Sequence, residues 1–202
     1  MKKLTTEFIG AFFLVMGAAL GGAYGAALAL MVMIYAGGHI SGAHYNPAVS
    51  VAVMIRGRMS AGELVQYWIA QIAGAAAAGL VVANLLGIKG AGNCAIASDG
   101  MMKAVVAEAL GTFALAYVVL NVATAKANAG NSFYGLAIAG VIAACGPTLG
   151  QFSGGAFNPA VGIGLALQGA FCMANIWVYF VGPIIGAALA ALVFNMNNSD
   201  DK

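Results

Sequence analysis

Two nine-residue stretches, SGAHYNPAV at positions 41–49 and SGGAFNPAV at positions 153–161, decide how this sequence folds. Six of the nine positions are identical, and each copy contains an Asn-Pro-Ala tripeptide, Asn46-Pro47-Ala48 and Asn158-Pro159-Ala160. Asn is a favourable N-cap and Pro is tolerated in the first helical turn, so each tripeptide predicts the start of a helix. The apolar pieces that follow are only 8 to 10 residues long, about half a bilayer by helix rise. We therefore predict two re-entrant half-helices whose N-termini lie at membrane depth.

The composition of the chain places both stretches inside a membrane protein. Of its 202 residues, 62% are hydrophobic and 7% are charged, whereas a soluble domain is typically about 45–50% apolar and about 25% charged. The long unbroken apolar runs fit helical spans of about 20 residues and do not fit the alternating segments of a membrane β-barrel. We expect an all-α membrane protein. No cleaved signal peptide is expected, because the first apolar run leads at once into further membrane sequence.

Six transmembrane helices are predicted around the two half-helices. The expected spans are residues 7–20, 24–38, 63–86, 103–123, 132–150 and 173–194, with a break at Gly21-Gly22-Ala23 and a polar, frayed tail at 195–202. Asn46 and Asn158 are 112 positions apart, and Tyr67 and Tyr179 keep the same offset. We predict one transmembrane channel domain over residues 1–202, built from repeats at about 4–87 and 101–195. Each repeat holds three spans, so the two enter the membrane in opposite senses and form the functional site at their interface near the midplane.

Charged residues predict the orientation of the chain in the membrane. If the N-terminus is inside, Lys89 and Lys103 are outside and the six other basic residues are cytoplasmic, namely Lys2, Lys3, Arg56, Arg58, Lys126 and Lys202. This distribution agrees with the positive-inside rule. We predict a multi-pass protein of a bacterial-type inner membrane with both termini in the cytoplasm.

The two loops predict a pore wall that exchanges hydrogen bonds with a passing solute. Irregular backbone at membrane depth is tolerated where it lines a wet cavity. We expect a ladder of carbonyl acceptors from Gly42, Ala43, His44, Gly154, Gly155 and Ala156. The amides of Asn46 and Asn158 would supply donors, so water or a hydroxylated solute passes with little net binding. Cations would meet the positive ends of two helix dipoles.

The remaining reactive residues form no constellation that suggests an enzyme or a cofactor. Cys94, Cys145 and Cys172 lack the spacing of metal ligands and are expected to be small apolar fillers. His39 and His44 are interpreted as packing residues of the first loop. We expect no enzymatic activity, no metal, no cofactor and no nucleic-acid partner.

On these residues the chain resembles the major intrinsic protein family, the aquaporins and glycerol facilitators. Residues 38–49, GHISGAHYNPAV, match the first signature of that family almost throughout, and the similarity covers about residues 6–194. The resemblance implies a right-handed bundle of six tilted helices and two half-helices, one pore per subunit, and a homotetramer in membrane lipid. It also implies that Glu7 and Glu108 are buried and support the re-entrant loops. The alternative for both residues is a capping or interfacial glutamate.

The resemblance also locates a selectivity filter, which in water channels typically consists of an aromatic residue, a His, a small residue and an Arg. The matching positions here are all small or apolar: Ala26, Gly146, Gly155 and Val161. Without the Arg, the filter loses a fixed positive charge and a fork of donors. We therefore predict a wide apolar filter. The alternative is that an aromatic side chain fills the gap, with Tyr24, Tyr35, Phe152 and Phe157 as the candidates.

Two further positions favour the water-type branch of the family with an emptied filter. Gly162 stands where glycerol facilitators usually carry Asp, and the aromatic pair Tyr179-Phe180 persists. We predict a passive channel for water and small uncharged solutes, among them hydrogen peroxide, ammonia, urea and glycerol. An ion-leaky channel stays open as an alternative, because removal of the Arg lowers the barrier to cations. A secondary transporter is a less favoured alternative, since such proteins also use inverted repeats and broken helices.

Overall fold

The structure, a computed structural model, describes residues 1–91 and 100–201. Seven α-helices form this part of the chain: α1 (Lys2–Ser41), α2 (Pro47–Ile55), α3 (Ala61–Leu80), α4 (Met101–Val119), α5 (Tyr134–Ser153), α6 (Pro159–Gln168) and α7 (Val178–Asn197). Short π-helical turns follow α3 and α4, at Val81–Leu85 and Leu120–Thr124. Short 3-10 turns, Lys126–Asn128 and Met173–Asn175, lie before α5 and α7.

Helix α1 contains two membrane spans rather than one. Its 40 residues would extend about 60 Å as a straight helix, twice the thickness of the hydrocarbon core. The helix is interrupted at Gly22, whose backbone angles are φ 58° and ψ −148°. A Cβ atom added to Gly17 would lie 2.5 Å from the carbonyl oxygen of Gly25, a proximity that requires the two arms to fold back on each other. The predicted break at residues 21–23 is confirmed.

The protein is an all-α bundle of six spans and two half-helices, as the sequence predicts. Five helices among the described residues are long and apolar enough to cross a membrane, and α1 supplies two spans. The two remaining helices are too short to cross, since α2 has 9 residues and α6 has 10. Both follow an Asn-Pro pair, so the half-helices begin where the sequence places them.

Glycines allow the helices to pack closely in corresponding ways in the two halves. In the first half, a Cβ atom on Gly74 of α3 would clash with the carbonyl group of Phe8 in α1. In the second half, a Cβ atom on Gly182 of α7 would lie 2.7 Å from the carbonyl oxygen of Val105 in α4. Small residues at helix crossings are the usual way in which backbones approach each other in lipid. This packing brings the first turns of α2 and α6 together in the middle of the bundle.

The C-terminal tail differs from its prediction. Helix α7 begins at Val178 and continues to Asn197, three residues beyond the expected end. The carboxylate of Asp201 lies 2.9 Å from the Arg56 guanidinium and accepts a 2.7 Å hydrogen bond from the backbone N–H of Lys126. The prediction of a frayed tail is therefore wrong for this segment, because a carboxylate with nearby cationic partners fixes it.

Candidate pore

A cavity of about 100 Å³ lies between the first turns of the two half-helices. Asn46 and Asn158 line it, and so do all four predicted filter positions, Ala26, Gly146, Gly155 and Val161. Ile34 and Ala43 belong both to this cavity and to a second, larger one. We name the larger cavity the basic vestibule because His39, Arg58 and Lys126 line it. The two cavities are therefore neighbours, with Ile34 and Ala43 at their common boundary.

The two asparagines bind each other's loops across the centre of the bundle. Nδ2 of Asn46 donates a 2.9 Å hydrogen bond to the carbonyl oxygen of Phe157, and Nδ2 of Asn158 donates a 2.9 Å bond to the carbonyl oxygen of Tyr45. A side-chain amide carries two N–H groups. Each asparagine therefore has a second N–H available to a molecule in the cavity that it lines.

The same asparagines cap the half-helices. Oδ1 of Asn46 accepts the backbone N–H of Ala48 at 2.9 Å, and Oδ1 of Asn158 accepts that of Ala160 at 2.9 Å. Both residues have extended backbone angles, as an N-cap requires. The arrangement fixes the amides in place and aims the positive ends of two helix dipoles at one region.

The loops before the half-helices adopt backbone conformations that are unfavourable for side chains. Ala43, Tyr45 and Phe157 have φ values of 52°, 50° and 49°. Gly155, at the position that corresponds to Ala43, has φ 72°. Strain of this kind costs about 1–3 kcal/mol per residue and persists only where surrounding contacts enforce it.

Glu7 supplies such contacts to the first loop. This residue is fully buried, and its Oε1 accepts hydrogen bonds from the Ser41 hydroxyl at 2.7 Å and from the His44 N–H at 3.0 Å. Its Oε2 accepts bonds from the Tyr45 N–H at 2.7 Å and from Nε2 of Gln71 at 2.8 Å. Four donors therefore converge on one carboxylate, two of them backbone amides of the loop.

Glu108 occupies the corresponding place behind the second loop. It is also fully buried. Its Oε1 accepts hydrogen bonds from the Ser153 hydroxyl at 2.6 Å and from the Ala156 N–H at 3.0 Å, and its Oε2 accepts one from the Phe157 N–H at 2.6 Å. Tyr179 adds a 2.6 Å bond from its hydroxyl to the Ser153 carbonyl, as Tyr67 does to Ser41 at 2.7 Å in the first loop.

A polar network that is not predicted from the sequence lies behind the first loop. Nε2 of Gln71 also donates to the Ser50 hydroxyl at 3.0 Å, and this hydroxyl lies 3.0 Å from Nδ1 of His44. The network fixes the imidazole of His44 in the cavity wall. A glutamine inside an apolar span is uncommon and functional more often than not, so Gln71 was the signal that could have revealed the network.

Six carbonyl groups of the two loops accept no hydrogen bond within the described part of the chain. No donor among the described residues bonds to the carbonyl oxygens of Gly42, Ala43, His44, Gly154, Gly155 and Ala156. Five of these residues line the cavity, and Gly42 lines the basic vestibule. The opposite wall is apolar, with Leu30, Ile138 and Ile142 among its members. The described lining of the cavity contains no Asp, Glu, Lys or Arg.

The filter positions contribute unequally to the space in the cavity. Val161 and Ala26 are buried residues of its wall. A Cβ atom added to Gly146 would lie only 2.5 Å from Cβ of Ala23, so the space that a side chain at position 146 would need is already occupied. None of the aromatic residues considered as fillers, Tyr24, Tyr35, Phe152 and Phe157, lines the cavity. The side chain of Ala23 in α1 therefore fills the space beside Gly146.

The cysteines and histidines depart in part from the expectation of inert packing. Cys172 forms a disulfide bond, so its interpretation as an apolar filler is wrong. Cys145 is a half-buried free thiol, and Cys94 lies outside the described residues. His39 is exposed at the basic vestibule rather than packed. In the described part of the chain, no group of three His, Cys, Asp or Glu side chains could hold a metal ion.

Known proteins are similar to this chain in sequence and in fold. A family model described as "Major intrinsic protein" matches residues 1–194. A glycerol uptake facilitator protein-like 6 from Lactiplantibacillus plantarum is 36% identical over the whole of both chains. A probable aquaporin NIP-type from Nicotiana alata is 34% identical, over 100% of this chain and 80% of the relative.

A solved structure has the same fold. The aquaglyceroporin from Plasmodium falciparum superimposes with a TM-score of 0.76 at 20% sequence identity, over 96% of this chain and 95% of that one.

Proposed function

Because the chain belongs to the major intrinsic protein family, whose members are membrane channels and not enzymes, we propose that it conducts water and small uncharged solutes through an apolar filter. The observation that carries this proposal is the cavity wall, which combines a row of free carbonyls and two asparagine amides with an uncharged apolar face. Such a wall replaces part of the hydration of a neutral polar solute. It offers no counter-charge to an ion.

We propose that Glu7 and Glu108 support the two loops and so hold the carbonyl ladder in place. The proposal is supported by the hydrogen bonds that each carboxylate accepts from loop backbone, including those from Tyr45 and Phe157, which have unfavourable φ values. Without these acceptors, the buried N–H groups would be left unsatisfied at membrane depth, which costs several kcal/mol each.

The proposed solutes are water, hydrogen peroxide, ammonia, urea and glycerol. Glycerol is supported by the name of the Lactiplantibacillus plantarum relative, and the wide filter by the absence of Arg and of bulky side chains at the four filter positions. The widening is expected from Ala26 and Val161, since Ala23 takes the space beside Gly146. The proposed filter is therefore asymmetric: Ala26 and Val161 leave space on two sides, and the side chain of Ala23 fills the space beside Gly146 on a third.

Assignment to the water-type branch is supported by two residues that pack on each other. A Cβ atom on Gly162 would lie 2.6 Å from Cβ of Tyr179. An Asp at position 162, as in glycerol facilitators, would not fit beside this tyrosine without movement of α7. The two branch markers in the sequence are thus physically coupled.

We further propose that the chain forms a homotetramer, as its family resemblance implies, with one pore per subunit and both termini in the cytoplasm of a bacterial-type cell. The orientation is supported by the positive-inside distribution of basic residues. The basic vestibule would then face the cytoplasm. The two repeats, at about 4–87 and 101–195, would form one channel domain.

Substitution of Val161 tests the proposed filter. Proteoliposomes that contain the wild type, Val161→Leu or Val161→Arg are compared by stopped-flow light scattering with water, urea and glycerol. We expect Val161→Leu, which adds bulk alone, to reduce glycerol flux more than water flux, and Val161→Arg to reduce it further. Because a new charge at membrane depth can impair folding, the leucine variant alone decides the outcome. If the wild type and Val161→Leu have equal permeability to every solute, the constriction lies elsewhere.

A further inference from the structure

A third cavity, separate from the central cavity and the basic vestibule, lies between the turn that joins α2 to α3 and the C-terminal end of α7. Its volume is about 380 Å³. We name it the arginine pocket, because Arg56 and Arg58 form part of its wall. The other polar residues of the wall are Asn195, Asn198, Ser199 and Asp201. Of these, Arg58 also lines the basic vestibule, and none lines the central cavity.

Arg56 is a buried cation with donors to spare. Its side chain is only 3% exposed, and its guanidinium carbon lies 4.8 Å from the centre of the Phe194 ring. Nε of Arg56 has no hydrogen-bond partner among the described residues. An unsatisfied buried donor on a charged group is costly. A guanidinium held in this way favours the binding of an anion that reaches the pocket it lines.

Among the described residues, the charged groups in the wall of the pocket are the two arginines and the carboxylate of Asp201. The carboxylate of Asp201 lies 2.9 Å from Arg56, 3.7 Å from Arg58 and 3.8 Å from Lys126. The two arginines of the pocket thus share the one carboxylate of Asp201. Asn195 and Asn198 each use one amide N–H, towards the carbonyl oxygens of Ile55 and Phe194, and each amide carries a second N–H group.

Two arginine forks with side-chain amides and a hydroxyl around them are suited to a phosphate group. The guanidinium group of arginine forms bidentate hydrogen bonds with phosphate and is less strongly hydrated than the ammonium group of lysine. A phosphate offers more acceptor oxygens and more charge than the carboxylate of Asp201, so it suits a pocket wall in which Nε of Arg56 has no acceptor among the described residues.

We propose that the arginine pocket binds a phosphate group through Arg56 and Arg58, in competition with the carboxylate of Asp201. The tail of the chain thereby acts as an internal occupant of an anion site. The phosphate comes either from solution or from the headgroup of an anionic lipid, because the pocket lies at the end of membrane-spanning α7. Both sources present the same chemistry to the arginines.

The test is a calorimetric titration of the purified full chain in uncharged detergent micelles. Inorganic phosphate is titrated in one series and short-chain dioctanoyl phosphatidic acid in another. We expect Asp201→Asn to tighten binding by about threefold to tenfold, since the competing carboxylate is lost, and Arg58→Gln to weaken it by about tenfold. Lys103→Gln, which removes an exposed cation remote from the pocket, should leave binding unchanged.

The two series distinguish the source of the phosphate. Saturable binding of inorganic phosphate, displaced by the lipid, identifies a solution anion site, and binding of the lipid alone identifies a headgroup site. Either result supports the pocket if Asp201→Asn and Arg58→Gln shift it in opposite directions. No saturable binding of either compound, or binding that neither variant alters, overturns the proposal. Because binding is read without solute flux, this outcome is independent of the proposed pore.

Discussion

Adding one methyl group at Gly146 tests the close approach that shapes the filter. In the structure, the new Cβ atom of Gly146→Ala would lie 2.5 Å from Cβ of Ala23, whereas carbon atoms pack best at about 3.5–4.0 Å. The two helices must therefore separate by about 1 Å. Overpacking of this kind costs about 1–3 kcal/mol, which outweighs the gain of up to about 1 kcal/mol from replacing a helical glycine by alanine.

Gly140, six residues earlier in α5, provides the matched control. Apart from its chain neighbours and the backbone of its own helix, no atom of the described residues lies within 4 Å of a Cβ atom added there. Gly140→Ala should therefore stabilise the protein by up to about 1 kcal/mol. The free energy of unfolding is measured for both variants in mixed micelles of sodium dodecyl sulfate and a neutral detergent, followed by far-ultraviolet circular dichroism. We expect the two variants to shift it in opposite directions.

A double-mutant cycle separates the contact with Ala23 from a second effect. Residue 146 precedes Pro147 inside α5, and a Cβ atom before a proline is itself disfavoured in helical conformation. If the clash is the cause, Ala23→Gly should restore part of the stability lost in Gly146→Ala, with a coupling of about 0.5–3 kcal/mol. Additive effects in the cycle, or equal stability changes at positions 140 and 146, would refute the proposed contact.

Two further predictions concern the buried carboxylates behind the loops and the carboxylate of the C-terminal tail. Glu7→Gln and Glu108→Gln should each lower the free energy of unfolding by at least about 1.5 kcal/mol. The reason is that the NH₂ group of the new amide would face at least one N–H group of the loop, which then loses its acceptor. Glu63→Gln, at an exposed helix cap, is the control and should change the free energy of unfolding little in the same micelle assay. The hydrogen bond from the Lys126 N–H, together with the nearby cations, holds the pKa of Asp201 below its ordinary value of 3.8. The ionised carboxylate therefore stabilises the tail fully above pH 3.8, and this stabilisation is lost as the pH falls through the lowered pKa. The protection of the amides of residues 198–201 against hydrogen exchange, taken relative to their intrinsic rates at each pH, should therefore stay high at neutral pH and fall only below about pH 4. Loss of protection between pH 5 and pH 7 would contradict the ion pairs.

Local signals in the sequence predicted the features that depend on a few neighbouring residues. The Asn-Pro-Ala tripeptides placed both half-helices, because an N-cap and a first-turn proline act within three residues of the helix start. The stretch Gly21-Gly22-Ala23 likewise indicates the break in α1, and the structure locates it at Gly22, because a positive φ is a property of one residue. The offset between the repeats located the corresponding residues of the second loop.

Contacts between distant segments could not be read in this way. The four filter positions all lie on the cavity, but the sequence did not indicate that Ala23 takes the space beside Gly146, because the distance between α1 and α5 is set by packing. Similarly, the polar composition of the tail predicts a frayed segment, whereas the structure shows an ordered one. Its ion pair with Arg56 joins residues that are 145 positions apart, and composition contains no record of such a pair.

The central claim, a channel for uncharged solutes, is tested most directly by measuring neutral flux and ionic current on one preparation. Glycerol and urea permeability is determined in proteoliposomes by stopped-flow light scattering, and the same vesicles are fused to a planar bilayer for conductance in potassium chloride. The uncharged wall and the two positive helix ends predict rapid flux of both solutes with no ohmic current above that of lipid alone. A protein-dependent current, or solute flux no greater than that of empty vesicles, would contradict the account.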